Sequence, residues 1–185
     1  GGTMNNKVIF NLYREFVKRD FSTLRFNFRG VGKSQGSYDD GEGELTDAAT
    51  AMDWVQTQNP SATHCWVAGF SFGSWIGMQL MMRRPEIKGF ISLSAPALTR
   101  DFAFLAPCPS SGLFIHGSDD EIVPSLALSR VLEKISIQKG AVIKDIIIQG
   151  ADHFFNDHNN EMIDAVGKYL DTRLDKDGNF ISNNE

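Results

Sequence analysis

Apolar and polar positions alternate in two rhythms along the chain. Val8, Ile9, Leu12, Tyr13 and Phe16 recur at helical spacing, whereas Thr23-Leu24-Arg25-Phe26-Asn27-Phe28 alternates as a half-buried strand does, until Arg29-Gly30 ends it. A Gly-rich loop over Gly30–Gly43 leads to a predicted helix, Glu44–Gln58, with Leu45, Ala48, Ala49, Met52 and Val55 on one face and Pro60 beyond its end. His64–Phe70 predicts a strand, and Ser71–Arg84 a helix stopped by Pro85. Gly89–Leu93 and Leu113–His116 predict strands, with the Pro-rich stretch Ala95–Ser110 between them. Pro124–Gln138 carries helical periodicity, Val142–Ile148 is a nearly continuous β-branched run, and Glu161–Leu174 places Met162, Ile163, Val166 and Leu170 on one face.

Five near-continuous apolar strands separated by amphipathic helices predict an α/β fold, a mostly parallel central sheet with helices on both faces. Ala95–Ser110 leaves no room for a lid domain. One core domain over 1–174 is expected, followed by a polar tail over 175–185 expected to be mobile. In an open parallel sheet ligands bind beyond the carboxyl ends of the strands, so the residues just after each strand are where chemistry is sought.

The chain has 185 residues, and its 42% apolar and 22% charged content is that of a globular domain. A formal charge of −5 provides no basic field for nucleic acid or anionic lipid. No apolar run is long enough for a membrane helix, and the first six residues lack the features of a signal peptide. Cys65 and Cys108 form neither a disulfide framework nor a metal-ligand spacing, which points to a reducing, cytoplasmic location.

Gly69-Phe70-Ser71-Phe72-Gly73 is a Gly-x-Ser-x-Gly pattern between a predicted strand and a predicted helix, the context in which a serine is projected from a sharp turn as a nucleophile. Ser71 is expected to be strained, with Gly69 and Gly73 removing side chains that would collide across the bend, and the Phe72 N–H can stabilise an oxyanion. A serine hydroxyl needs a histidine to take its proton and a carboxylate to orient that histidine. His153, after the last strand, is the favoured base and His158 the second choice. His64 lies at the far end of its strand, and His116 reads as a packed, hydrogen-bonded residue. Asp119, Asp120 and Glu121 follow the fourth strand, and one of them is expected to cap the helix near Pro124.

These segments resemble the α/β-hydrolase superfamily over essentially the whole chain. Arg29-Gly30-Val31-Gly32-Lys33-Ser34 resembles its Arg-Gly-x-Gly-x-Ser loop, Gly69–Gly73 its nucleophile elbow and His116–Pro124 its acid loop, an alignment that selects Asp120 over Asp119. His153 in Gly150-Ala151-Asp152-His153-Phe154-Phe155 matches the family's base. Gly1–Asn6 and Ala106–Gly112 resemble small, lidless bacterial hydrolases of the dienelactone hydrolase and Xaa-Pro dipeptidyl-peptidase-like branch. The resemblance implies N-terminal strands that are missing ahead of the first helix, with Gly1-Gly2 inside the loop that supplies the second oxyanion donor near Gly2 and Thr3.

The expected activity is that of a serine hydrolase cleaving carboxylic esters or thioesters of a small-molecule acyl substrate, with amides as an alternative, using Ser71, Asp120 and His153 and no metal or organic cofactor. Phe102, Phe104, Leu105 and Phe154 are candidate apolar walls of an open, shallow site. Three other readings compete with it. Gly30–Ser34 as a phosphate loop fails because Asn27 stands where glycine is needed and more loop follows Ser34. Asp175–Glu185 echoes a calcium loop, but Phe180 occupies its glycine position and Glu185 closes it one place early. The third is a hydrolase scaffold without turnover, serving binding or regulation.

Overall fold

A computed structural model describes residues 2–181. In chain order its elements are helix α1 (Lys7–Val17), α2 (Glu42–Gln58), strand β1 (Cys65–Phe70), α3 (Phe72–Met81), β2 (Ile87–Leu93), a single 3-10 turn at Ala103–Leu105, β3 (Ser111–Gly117), α4 (Ser125–Ser136), β4 (Ile143–Ile148) and α5 (Asn159–Asp171). The strands form one parallel sheet in the order β1-β2-β3-β4, with Ile91 opposite Leu113 and Ile115 opposite Ile146.

Alternation along the strands divides the core in two. Phe90 and Phe114 point to one face, their rings edge to face at 5.2 Å, and meet Ile76, Met78 and Leu80 of α3 and Leu128 and Leu132 of α4. Ile91, Leu93, Leu113 and Ile115 point to the other, against Val8, Leu12 and Phe16 of α1 and Met162, Val166 and Leu170 of α5. Both faces of the inner strands are therefore covered, as a parallel sheet requires.

The described sheet has four strands, not five. Among the described residues Thr23–Phe28 pairs with no strand, and β1, at the edge of the described sheet, pairs only with β2. A gap of about 580 Å3 lies between Thr23–Phe28 and Cys65–Phe70, which line it from opposite sides. Alternation marks a segment able to pair; it does not supply the partner.

The start of the tail makes defined contacts. Leu174 forms an antiparallel bridge with Phe180, the Ile181 N–H donates to the Arg173 carbonyl, and the Phe180 ring lies 6.1 Å from Trp66 and 5.1 Å from His64. The Asp175 carboxylate is turned onto the N–H groups of Asp177 and Asn179. Local turn bonds and aromatic contacts thus run as far as Ile181, and 182–185 lie outside the described residues. Among the described residues, no helix is long and apolar enough to cross a membrane.

Candidate active site

β1 ends at Phe70 and α3 begins at Phe72, so Ser71 must reverse the chain in a single residue, and it does so at φ 51° and ψ −121°. Positive φ in a residue with a side chain is strained. A Cβ on Gly69 would stand 2.4 Å from the Gly73 carbonyl oxygen, a clash within the turn that only glycine avoids. Gly73 contributes differently from the expectation. A Cβ there would meet only Phe28, at 4.0 Å, so its part is the backbone that Gly69 approaches. The Ser71 N–H donates to the Leu93 carbonyl at 2.8 Å, anchoring the turn on β2.

Phe72 is the first residue of α3, and its N–H has no acceptor within the helix. Its ring is held among Phe28, Tyr38 and Arg100, at 5.7, 5.9 and 5.8 Å.

β3 delivers the acid. Asp120 is buried; one carboxylate oxygen accepts the N–H groups of Ile122 and Val123 at 2.9 and 2.7 Å, and the other lies 2.7 Å from His153 Nδ1. With Nδ1–H donating to Asp120, Nε2 is left to accept, and it lies 3.0 Å from Ser71 Oγ. Gly117 lets the acid loop approach the base loop, since a Cβ there would fall 2.0 Å from the Ala151 carbonyl oxygen. Phe70 and Phe154 pack on the His153 ring at 5.1 and 5.0 Å, leaving the imidazole largely shielded from water.

The five other acids and histidines weighed are elsewhere, His64 among them, against Phe180. Asp119 accepts from the Ser118 hydroxyl, and Glu121 is exposed. α4 has no side-chain cap, so none of the three acids caps it as one was expected to; Asp120 accepts from the turn ahead of it instead. His158 precedes α5. His116 is buried, but contrary to expectation neither ring nitrogen makes a hydrogen bond among the described residues, although Nδ1 is 3.3 Å from the Asp145 carboxylate. Burial pushes the His116 imidazole below its ordinary value.

Gly2, Thr3 and Phe154 line the 580 Å3 cavity together with Ser71 and His153. Phe102, Phe104 and Leu105 do not. Phe102 and Leu105 are buried in the core on the α3 and α4 side, with Phe104 stacked on Phe102 at 6.0 Å. Their residue type fits a pocket wall and a core equally well, and the chain path after β2 turns them inward. The space beside Ser71 is continuous with the gap between Thr23–Phe28 and β1, which reaches Met52 and Leu80. Three contributors escaped the sequence reading: Phe70 against the base, Ile122 on the cavity wall, and Ser94, whose hydroxyl donates to the His153 carbonyl at 3.1 Å. Ser94 directly follows β2, the kind of position that strand-end reasoning singles out, but its one-residue spacing matches no motif.

A parallel sheet with a serine at a strained strand-to-helix turn, and a histidine and a buried aspartate brought to it from later strand ends, defines an α/β-hydrolase without a lid. Comparison with known proteins agrees. The sequence profile described as "Serine aminopeptidase, S33" matches residues 1–111, and the chain belongs to that family of hydrolases. A putative α/β-hydrolase from Agrobacterium tumefaciens is 54% identical with a TM-score of 0.92, covering 94% of this chain and 79% of its own. A Xanthomonas campestris α/β serine hydrolase described as without lid is 32% identical with a TM-score of 0.83, covering 93% and 76%. An uncharacterized protein of Rickettsia prowazekii is 47% identical over 175 residues, which is 92% of this chain and 74% of that one.

Proposed function

We propose that this hydrolase cleaves carboxylic esters or thioesters through an acyl-enzyme formed on Ser71. The observation that carries the reading is the continuous chain of hydrogen bonds from Ser71 Oγ to His153 Nε2 and from His153 Nδ1 to Asp120, at 3.0 and 2.7 Å. His153 takes the hydroxyl proton as Ser71 Oγ bonds to the acyl carbon, and Asp120 stabilises the resulting imidazolium. The Phe72 N–H, with a donor near Gly2 and Thr3, carries the developing oxyanion. The imidazolium then protonates the departing alkoxide or thiolate as its bond to the acyl carbon breaks. Water, deprotonated by the same histidine, adds to the acyl-enzyme and releases the acid and Ser71.

The lidless form of the fold favours short acyl groups, because only Ala95–Ser110 stands where a lid could enclose a long chain and Phe154 beside His153 is partly exposed. Turnover of p-nitrophenyl esters with acyl chains of about two to twelve carbons tests this; a steep preference for the longest chain would contradict it. The serine aminopeptidase family relationship supports a second reading, amide cleavage, tested by including an aminoacyl p-nitroanilide in the same panel. A fluorophosphonate probe should label wild-type protein and leave Ser71→Ala unlabelled. An unlabelled wild type would favour a scaffold without turnover.

A further inference from the structure

We infer that Ser94 is a positioning residue that holds the base to the nucleophile, an inference that rests on the acyl-enzyme reading above. Ser94 is fully buried directly after β2 and takes φ 47°, a conformation that glycine would adopt without strain. What serine adds there is its hydroxyl, and that hydroxyl donates to the His153 main-chain carbonyl at 3.1 Å. The residue before it, Leu93, accepts the Ser71 N–H at 2.8 Å. Two successive residues at the end of one strand therefore grip both partners of the proton transfer.

The other main-chain bonds of the base loop run toward β3 and β4. Ala151 N–H donates to the Ile148 carbonyl at 3.3 Å, and Asp119 N–H to the Ala151 carbonyl at 3.0 Å. Asp120 orients the imidazole, also from the β3 side. Ser94 is the tie from His153 to the strand on which the nucleophile is anchored, while its own N–H is fixed on the Ile115 carbonyl at 2.9 Å. Without the hydroxyl, the base loop keeps its fold but loses its fixed distance from Ser71, and proton transfer is sensitive to that distance.

Ser94→Ala removes the hydroxyl and keeps the strained backbone, whereas Ser94→Gly removes both. In both variants kcat for p-nitrophenyl acetate should fall about 10- to 100-fold with KM unchanged, and Ser71 labelling by the fluorophosphonate should slow in parallel. Ser94→Gly should nevertheless melt at or above the wild-type temperature, since glycine relieves the positive φ. A residue that merely supports the fold would lose activity and melting temperature together. Wild-type kcat in either variant, or a Ser94→Gly whose activity falls only alongside its melting temperature, would overturn the assignment. A wild-type protein that fails to label at Ser71 refutes the acyl-enzyme reading and this inference with it. A labelled wild type with equally fast variants refutes the role of Ser94 alone.

Discussion

Asp120 receives hydrogen bonds from the Ile122 and Val123 N–H groups and from His153 Nδ1, so its carboxylate is fixed in place and its charge directed at one imidazole. Asp120→Asn can keep the contact but presents an amide that can donate to Nδ1, which forces the wrong histidine tautomer. The expected loss in kcat is about 10,000-fold with the fold intact, read from steady-state turnover and circular dichroism of the same sample. Asp119→Asn, at a carboxylate that accepts from the Ser118 hydroxyl, should leave turnover close to wild type in the same assay. These roles separate two adjacent aspartates that the reading of residue types alone left open, and the acid-loop resemblance chose between them. The ring of His116, four positions before the acid, shows the opposite case. Nothing in its local sequence distinguishes a bonded buried histidine from one whose nitrogens make no hydrogen bond.

At the scale of elements, the site is built where strand ends come closer together than side chains permit. Gly69→Ala would drive a methyl group into the Gly73 carbonyl, and Gly117→Ala into that of Ala151. Neither obstacle is a flexible side chain, so each variant must shift β1 against α3 or β3 against the base loop. Each should lose a few kcal/mol of stability, measured as a lower urea midpoint, and should lose turnover well before the unfolding transition. Gly73→Ala has open space ahead of its Cβ and should be much milder. The Gly-x-Ser-x-Gly pattern was legible in sequence; the unequal tasks of its two glycines were not, because they depend on how closely α3 is laid against β1. Thr23–Phe28 teaches the same lesson for a whole element, since its alternation is that of a strand and its pairing depends on what lies beside it.

Over the whole molecule, ion pairs join distant segments and make stability depend on pH. Hydrogen bonds from Arg29 hold the Asp47 carboxyl below its ordinary value, tying the loop after Phe28 to α2, and Arg19 does the same to Asp171, tying the end of α1 to α5. A carboxyl depressed in the folded state contributes fully above the ordinary carboxylate range, and the contribution is lost as pH falls through the depressed value. His116 acts at higher pH. Because burial lowers its folded value, the unfolded chain takes up the proton first, and stability begins to fall as pH drops below the ordinary histidine range. The melting temperature should therefore decline in two stages on acidification, and His116→Asn should reduce the first, to which His64, likewise lowered by burial, also contributes, while leaving the second. Periodicity, Gly and Pro punctuation and the Gly-x-Ser-x-Gly turn were determined by the sequence alone, because they are local consequences of backbone sterics and side-chain pattern, and with the family resemblance they sufficed to single out Ser71, Asp120 and His153 as the candidate triad. Which Phe residues line the site, which strands pair, and that Ser94 reaches the back of His153 were decided by tertiary structure. Those facts depend on distances between segments far apart in the chain, and such distances are set by packing, not by any local pattern.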